Sequence, residues 1–294
     1  ERIMATKEDG SAAGAGPVGL VAPSKESLNE SLGKLSSGDD AIRTAVDSFA
    51  LEVGEAVDDE TAVRFLRARG WDVSKAATMY RKHLTFRKER MDEHKMVCEP
   101  CVADPKSHCF LIIGGCRKNR PVLYGNSPRA AMTDAPSQLH HVICTLDRAF
   151  TVPDTAPQWV WCVDFNGFGL SHAVNVQLAK DCVSTFSNHF PERLGLLVLL
   201  DPPTVFQALW SVVSPLLDRN TAAKVRFVRA KETDGFLDEL LPSAEKEWLQ
   251  AVRVMRPVPG NLPPLPLSAK PFAMTPSADN AGEPAGGEEL RRGG

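Results

Sequence analysis

The sequence predicts an α/β protein in which a helical N-terminal lobe precedes a mostly parallel β-sheet flanked by helices. Residues 40–90 show apolar spacing of three and four, which is typical of amphipathic helices. Residues 159–163 and 196–200 are apolar runs of strand length, and a segment with helical spacing separates them. The order strand, helix, strand indicates a right-handed parallel crossover.

Composition bounds the class of protein. The chain has 294 residues, of which 43% are hydrophobic, and this is enough for a substantial core. A net charge of −3 provides no global basic field, so we expect no nucleic-acid partner. No apolar run approaches the roughly 20 residues of a spanning helix, and the first residues lack the order of a signal peptide. Seven scattered cysteines indicate free thiols, so we expect a cytoplasmic protein.

The chain divides into four predicted regions. Residues 1–37 are rich in Gly, Ala, Ser and charge, and we expect them to be disordered. Residues 38–100 form the helical lobe and residues 101–256 the sheet domain. Residues 257–294 are rich in proline and glycine, which predicts a disordered tail whose proline spacing suits docking onto the domain or a partner.

The lobe and the first strands have readable boundaries. A helix starts near Asp40, a second ends at Gly70, and Asp72 caps a third, whose basic face we interpret as solvated. FLII at 110–113 and PVLY at 121–124 predict two strands joined by turn residues. A helix follows over residues 137–150.

Cys98 and Cys101 raise the question of a zinc site. Further candidate ligands lie nearby: His94, His108, Cys109, Cys116. The second cysteine pair is separated by six residues and one member adjoins an apolar run, unlike the short-spaced couples of structural zinc sites. We therefore predict no metal. His140 and His141 have no carboxylate in register, and we assign them no chemistry.

Two glycines after the central strand raise the question of a dinucleotide-binding loop. Gly167 and Gly169 follow the strand, but His172 stands where a third glycine belongs, and this argues against nucleotide binding.

The helix predicted over residues 205–217 is unusually apolar. Gln207, Ser211 and Ser214 supply only a narrow polar stripe. A surface helix of this kind needs a second apolar environment, which a lipid or a membrane could supply. The alternative is a helix buried between the layers of a large domain.

These motifs resemble the CRAL-TRIO lipid-binding family. PERLG at 191–195, the strand, the apolar helix and LLDRNTAAKV at 216–225 are similar to its yeast-type phosphatidylinositol transfer proteins. ETAVRFLRARGWDVSKAATMYRKHLTFRKE at 60–89 resembles the helical segment that precedes the lipid pocket. The resemblance covers roughly residues 58–228 and implies a sheet that floors an apolar lipid pocket under a mobile gate helix.

The resemblance also implies roles for individual residues. Arg69 and Lys224 would bind the lipid phosphate, Thr221 would hydrogen-bond it, and Glu192 would orient the cations, a structural ion pair being the alternative for Glu192 and Arg193. The gate helix and the acyl-chain cavity would include the following residues: Val205, Phe206, Leu209, Trp210, Val213, Leu216, Leu217, Trp159, Trp161.

The chain departs from the family pattern at the expected site of a second lipid. Trp159 and Trp161 stand where dual-ligand members have a serine and a threonine, and Leu123 replaces a tyrosine. We therefore expect no phosphatidylcholine exchange, while a bulkier second lipid such as a sterol fits better.

From the resemblance we expect a non-enzymatic protein that binds phosphatidylinositol and transfers or presents it. The expected partners are a phospholipid, a transiently contacted membrane surface and, for presentation, a lipid kinase; we expect a monomer with no cofactor besides the lipid. No Gly-x-Ser-x-Gly elbow, Walker loop or carboxylate pair indicates catalysis. The alternatives are a carrier of an isoprenoid such as a tocopherol, retinoid or sterol, a membrane-recruitment interaction module, and an unrecognised hydrolase.

Overall fold

The computed structural model describes residues 38–94, 97–173 and 176–272. Residues 1–37, for which we predicted disorder, lie outside this part of the chain, as do residues 273–294. No helix within the described ranges is both long and apolar enough to cross a bilayer.

Three helices form the N-terminal lobe: α1 Gly38–Val53, α2 Asp59–Ala68 and α3 Val73–His94. Asp58 caps α2 by accepting a hydrogen bond from the Thr61 amide at 2.8 Å. Asp72 accepts from the Lys75 amide at 3.0 Å at the start of α3, as the sequence predicted. The apolar faces of the helices meet in a core of their own, with these buried members: Val46, Phe49, Ala62, Phe65, Leu66, Ala76, Ala77, Met79, Tyr80.

Five strands form one sheet in sequential order. They are β1 Phe110–Gly115, β2 Pro121–Gly125, β3 Trp159–Asp164, β4 Leu194–Leu200 and β5 Val225–Val228. β1 pairs with β2 in antiparallel fashion, and the other pairings are parallel. The predicted hairpin and mostly parallel sheet are therefore confirmed.

Helices cover both faces of the sheet. The helices after the lobe are α4 Glu99–Ala103, α5 Ala135–Ala149, α6 Leu170–Ala173, α7 Val176–His189, α8 Phe206–Val213, α9 Arg219–Ala223, α10 Ala230–Leu240 and α11 Ser243–Val254. There are also 3-10 turns at Ser127–Arg129, Ser214–Leu216 and Leu267–Phe272.

The two faces of β4 differ in what covers them. Leu196, Val198 and Leu200 belong to a closely packed core together with residues of α10 and α11. Leu197 and Leu199 point the other way and line a cavity. The unbroken apolar run predicted a strand covered on both faces. One face of β4 packs against protein, and the other borders the cavity.

The apolar helix predicted over residues 205–217 is shorter in the structure. α8 ends at Val213, and Ser214–Leu216 continue as a 3-10 turn that contains Pro215. A proline supplies no amide hydrogen and clashes with the preceding turn, so it favours this break. Val205 is the N-cap of α8 and contributes no side-chain capping bond.

The lobe and the sheet domain are joined by aromatic and ionic contacts. Phe86 of α3 stacks on His189 of α7 with ring centroids 3.8 Å apart. The Arg193 guanidinium lies 3.0 Å from Glu60 and 4.2 Å from the centre of the Phe150 ring. Arg193 therefore forms an ion pair between the lobe and the sheet domain.

Residues 257–272 correct the prediction of a disordered tail over 257–294. This segment returns along the sheet domain, where Trp248 Nε1 donates to the Pro263 carbonyl at 3.2 Å. Ser268 Oγ donates to Glu245 Oε1 at 2.6 Å, and Ala269 is buried. The prolines prevent helical periodicity but not packing, because an extended segment can satisfy its carbonyls against side chains of the domain.

Arg129 secures this return. Its guanidinium is 1% exposed and donates to the Val252 carbonyl at 2.6 Å and the Met255 carbonyl at 2.9 Å. It also donates to the carbonyls of Arg256 and Asn261. One buried cation thereby donates to four carbonyls, from Val252 in the last turn of α11 to Asn261 in the returning segment.

We predict that Arg129→Met lowers the free energy of unfolding by about 2–4 kcal/mol, because the buried Val252 carbonyl and three partly buried carbonyls lose a charged donor. Urea unfolding followed by circular dichroism measures this. Lys231→Met on exposed α10 is the control and should stay within about 0.5 kcal/mol of the parent chain. Equal stability of the two variants would contradict the anchoring role.

Candidate functional site

A cavity of about 960 Å³ lies between the sheet and the helices α7 and α8. This volume is at the upper end of the roughly 300–1,000 Å³ that is usual for ligand sites. Its apolar wall comes from the sheet, α7 and α8: Trp161, Val163, Leu197, Leu199, Val225, Cys182, Phe186, Phe190, Phe206, Leu209, Trp210, Val213. A space of this size and lining suits the hydrocarbon part of a lipid.

α8 covers the cavity, where the sequence predicted a lid, and has apolar side chains on both of its surfaces. Phe206 and Val213 are buried toward the cavity and the sheet. Val212 on the same helix is 40% exposed, and Leu216 in the following turn is 49% exposed. The outer surface of α8 therefore combines exposed apolar side chains with the narrow polar stripe of Gln207 and Ser211.

Two further exposed apolar side chains lie on elements next to the lid. Phe227 of β5 is 45% exposed and its ring centroid lies 5.3 Å from that of Trp210. Leu170 belongs to α6, which contacts α8. We call Leu170, Val212, Leu216 and Phe227 the lid patch, and such a patch is typical of a surface that meets a membrane or a partner.

All four residues predicted for the headgroup line this one cavity: Arg69, Glu192, Thr221, Lys224. Glu192 precedes β4 and Lys224 precedes β5, so the parallel pairing of these strands brings both residues to one end of the sheet. Arg69 caps the C-terminus of α2 and reaches the cavity from the lobe. The sequence separates Arg69 from Lys224 by more than 150 residues, and the fold brings them to the same space.

Lys224 and Glu192 form the ion pair within this group. Lys224 Nζ lies 3.9 Å from Glu192 Oε2, at the outer limit of such a pair, and both side chains are partly buried. Glu192 has φ 58°, which is uncommon for a non-glycine residue, and its carbonyl accepts from Gln158 Nε2 at 3.3 Å. The backbone thus fixes Glu192 beside the lysine.

The glycine of PERLG is explained by close packing. A Cβ on Gly195 would lie 2.9 Å from Arg120 Nη1 and 3.0 Å from the Trp159 carbonyl oxygen. Only glycine fits there without displacing the neighbouring strand.

Thr221 has a partner of its own. Its hydroxyl donates to Asp218 Oδ2 at 2.6 Å, and its amide donates to Asp218 Oδ1 at 2.9 Å. Burial raises the pKa of Asp218, but hydrogen bonds from Thr221 and Asn220 outweigh it and hold that pKa below its ordinary value. To donate to a phosphate, the Thr221 hydroxyl would have to break its hydrogen bond to Asp218. The hydroxyl oxygen can accept a hydrogen bond without that change.

Two predicted cavity residues do not line the cavity. Trp159 is fully buried and packs among Phe150, Phe186 and Phe190 instead. It shares a strand face with Trp161, but these rings close the space beneath it. Val205 is also absent from the lining, because it caps α8. Trp161 and the other predicted lid residues do line it.

The sequence reasoning missed Arg67 and Asp218. Both line the cavity, at the same end as the headgroup group. Asp218 had a readable signal, since an acidic residue just before Asn220 and Thr221 is typical of an N-cap. Arg67 belongs to the FLRAR motif but lies two positions from Arg69, where helical geometry alone predicts a different face.

A second polar group lines the cavity near the start of β1. It includes His108, Asn126, Gln138 and His141. Phe110 pairs with Gly125, so His108 and Asn126 lie at the carboxyl end of β2, away from the amino ends of β4 and β5. Polar groups therefore lie at two ends of a mostly apolar space.

Comparison with known proteins places this architecture. Residues 106–248 match the family described as CRAL/TRIO domain, and residues 29–82 match the CRAL/TRIO N-terminal domain. The chain is 26% identical over 180 residues to the phosphatidylinositol transfer protein PDR17 of Saccharomyces cerevisiae, covering 57% of this chain and 51% of that protein. It is 25% identical over 202 residues to the phosphatidylinositol transfer protein CSR1 of Eremothecium gossypii, covering 64% and 45%.

Other matches are of the same kind. A CRAL-TRIO domain-containing protein of Schizosaccharomyces pombe is 28% identical over 183 residues, covering 58% of this chain and 41% of that protein. The crystal structure of Sfh5 superposes with a TM-score of 0.49 at 15% identity, covering 76% of this chain and 85% of that one. The chain spans about half or less of the length of these curated relatives.

We predict that Leu197→Trp lowers the affinity for an apolar fluorescent probe at least about tenfold, because the indole occupies space between the sheet and α8. Fluorescence titration measures this. Val212→Trp on the outer surface of the lid is the matched control and should bind like the parent chain. Unchanged affinity in Leu197→Trp would show that the probe binds elsewhere.

Proposed function

The chain belongs to the CRAL/TRIO family, and from that premise we propose that it binds phosphatidylinositol in the cavity under α8 and transfers or presents it between membranes. The single observation that carries the proposal is an apolar cavity with Arg69 and Lys224 at one end. Phosphatidylinositol has the same division, with two hydrocarbon chains at one end and a phosphate at the other.

The apolar wall must bind acyl chains about as favourably as the bilayer does. Each buried methylene contributes about 0.8 kcal/mol, so two acyl chains in water would cost tens of kcal/mol. A carrier must therefore enclose the chains during transit. The sheet residues Leu197 and Leu199 would floor this space, and α8 would cover it.

The charged end would pair the phosphate. A phosphate taken out of water needs cations or hydrogen-bond donors, since its desolvation otherwise dominates. The Lys224 ammonium would leave Glu192 for the phosphate or would contact both groups at once. Arg69 would supply the second cation. Arg67 would add positive charge at the same end, which favours an anionic headgroup over a zwitterionic one.

The lid patch would provide the membrane contact. Opening of α8 would expose Phe206 and Val213 beside Val212 and Leu216, which are already exposed. The helix has no side-chain N-cap and ends in a proline-containing turn, so its ends are held by few hydrogen bonds. Membrane association would be transient and peripheral, and we propose a cytoplasmic monomer that could present lipid to a lipid kinase.

Two relatives support the choice of lipid. PDR17 and CSR1 are named phosphatidylinositol transfer proteins, and each shares about a quarter of the aligned residues with this chain. This chain spans only about half of each relative, and we propose that it shares their phosphatidylinositol transfer function. We propose a non-catalytic role, with the lipid as ligand rather than substrate.

A specific observation favours an isoprenoid as the second candidate ligand. Trp161 lines the cavity, and its buried indole Nε1 has no hydrogen-bond partner. A donor within an otherwise apolar wall suits a ligand with one hydroxyl or carbonyl group, such as a tocopherol, retinoid or sterol. Such a ligand would not need Arg69 or Lys224. Loss of these cations therefore separates the two candidates.

We predict that Arg69→Ala and Lys224→Ala each lower phosphatidylinositol transfer between liposomes at least about tenfold, because the phosphate loses a charged partner. The exposed Lys231→Ala should transfer normally. Transfer at the parent rate by both cavity variants would refute the headgroup assignment. Mass spectrometry of lipid extracted from the purified chain is the companion measurement: phosphatidylinositol supports the proposal, and an isoprenoid supports the second candidate.

We also predict that the double variant Val212→Asp, Leu216→Asp binds liposomes several-fold more weakly, because charged side chains resist burial among lipids. Liposome flotation measures this. Val254→Asp is the control, since Val254 is 87% exposed and lies on α11, on the opposite side of the sheet. Equal weakening by both variants would exclude the lid patch as the docking surface.

A further inference from the structure

Four side chains with metal-ligating atoms meet at the start of β1: Cys98, Cys101, His108 and His141. Their ligating atoms all lie within 4.8 Å of one another. Two thiols and two imidazoles are the donor set of many structural zinc sites. The prediction of no metal considered Cys109 and Cys116 as the second pair, and the structure instead brings two histidines to Cys98 and Cys101.

Local structure explains the cysteine pair. Cys98 is the N-cap of α4, and the Cys101 amide donates to its carbonyl at 3.0 Å. This single turn brings the two sulfurs to the same side. His108 lies on the loop that enters β1, and His141 lies on α5, which packs over β1. Three separate elements therefore converge on one point.

The distances fit tetrahedral coordination. Zn–S bonds of about 2.3 Å and Zn–N bonds of about 2.0–2.1 Å place neighbouring ligand atoms about 3.3–3.8 Å apart. Cys101 Sγ lies 3.2 Å from His108 Nδ1 and 3.3 Å from His141 Nδ1. Cys98 Sγ lies 3.5 Å from His108 Nδ1. Small movements would seat all four atoms around one cation.

Both histidines are held with Nδ1 toward the sulfurs. His141 Nε2 is 2.7 Å from the Phe110 carbonyl oxygen, which can only accept, so this nitrogen carries the proton. His108 Nε2 is 3.0 Å from Ser137 Oγ. In both rings Nδ1 faces the cluster, and in His141 this nitrogen carries the lone pair. Outer hydrogen bonds of this kind orient the histidines of metal sites.

Burial also favours a metal over a set of free thiols. Cys98, His108 and His141 are each less than 8% exposed. A divalent cation would neutralise two thiolates and use all four lone pairs in a place with little water.

We propose that Cys98, Cys101, His108 and His141 form a closed structural zinc site that fastens the segment before β1 to α5. Tetrahedral sites with two sulfurs and two nitrogens favour zinc, and four protein ligands leave no position for a reacting water. His108 and His141 also line the lipid cavity, so the metal would fix that part of its wall. Binding would release the thiol protons to solvent.

The test begins with zinc itself. The full chain, purified without a histidine tag and under thiol-reducing conditions, should contain about one zinc ion per chain by plasma mass spectrometry. Cys98→Ser and His141→Asn should each lower the zinc affinity at least about tenfold. Cys116→Ser is the matched control, because Cys116 is a buried free thiol at the far end of β1 and should leave zinc content unchanged.

X-ray absorption of the unsubstituted chain keeps the test independent of whether the variants fold. A zinc shell of two sulfurs at about 2.3 Å and two nitrogens at about 2.0 Å supports the proposal. A shell of oxygen and nitrogen only would overturn it. So would failure of the reduced chain to bind added zinc, equal zinc content in Cys98→Ser and the control, or a Cys98–Cys101 disulfide in the reduced preparation. None of these readouts depends on the lipid.

Discussion

The apolar character of both faces of the sheet is the constraint on which the rest of this structure depends. Strands buried on both sides must be covered on both sides, or their side chains remain in water. α10, α11 and residues 257–272 cover one face with closely packed protein. On the other face a cavity of about 960 Å³ separates the sheet from α8. That cavity is lined by apolar side chains of the sheet and of α8, which is the lining that an apolar ligand needs.

One face of the sheet is closely packed against α10 and α11, and this packing allows the other face to border a cavity. Close packing around Trp248, Leu249 and Val252 stabilises the sheet independently of any ligand. The buried Arg129 holds the C-terminal segment over this core through four carbonyls. On the other face, α8 contacts its neighbours through apolar side chains, among them Phe206 against Phe165 and Trp210 against Phe227.

Charge is confined to the ends of the cavity. The amino ends of β4 and β5 carry Glu192 and Lys224, and the lobe adds Arg67 and Arg69. Near the start of β1, His108 and His141 meet Cys98 and Cys101. Polar groups placed at the ends of parallel strands leave the middle of the sheet apolar. The cavity thus combines charged side chains at one end with an apolar middle.

The sequence by itself determined the elements and the chemistry of the lid. Apolar runs, caps and turn residues are local signals, so the hairpin, the parallel crossover and the strand 196–200 could be read without a structure. The motifs also singled out Arg69, Glu192, Thr221 and Lys224, which do line one cavity.

Only the tertiary structure decided which residues meet. Trp159 and Trp161 alternate identically along β3, yet neighbouring rings from α5 and α7 bury one and leave the other at the cavity. His141 is 40 residues from Cys101, and no local spacing announces that contact. Proline-rich residues 257–272 lack periodicity. Their position is set by the fold, because the buried Arg129 guanidinium donates to the Asn261 carbonyl within this segment. Periodicity reports the face of one element, whereas a site depends on the distances between elements, which packing alone sets.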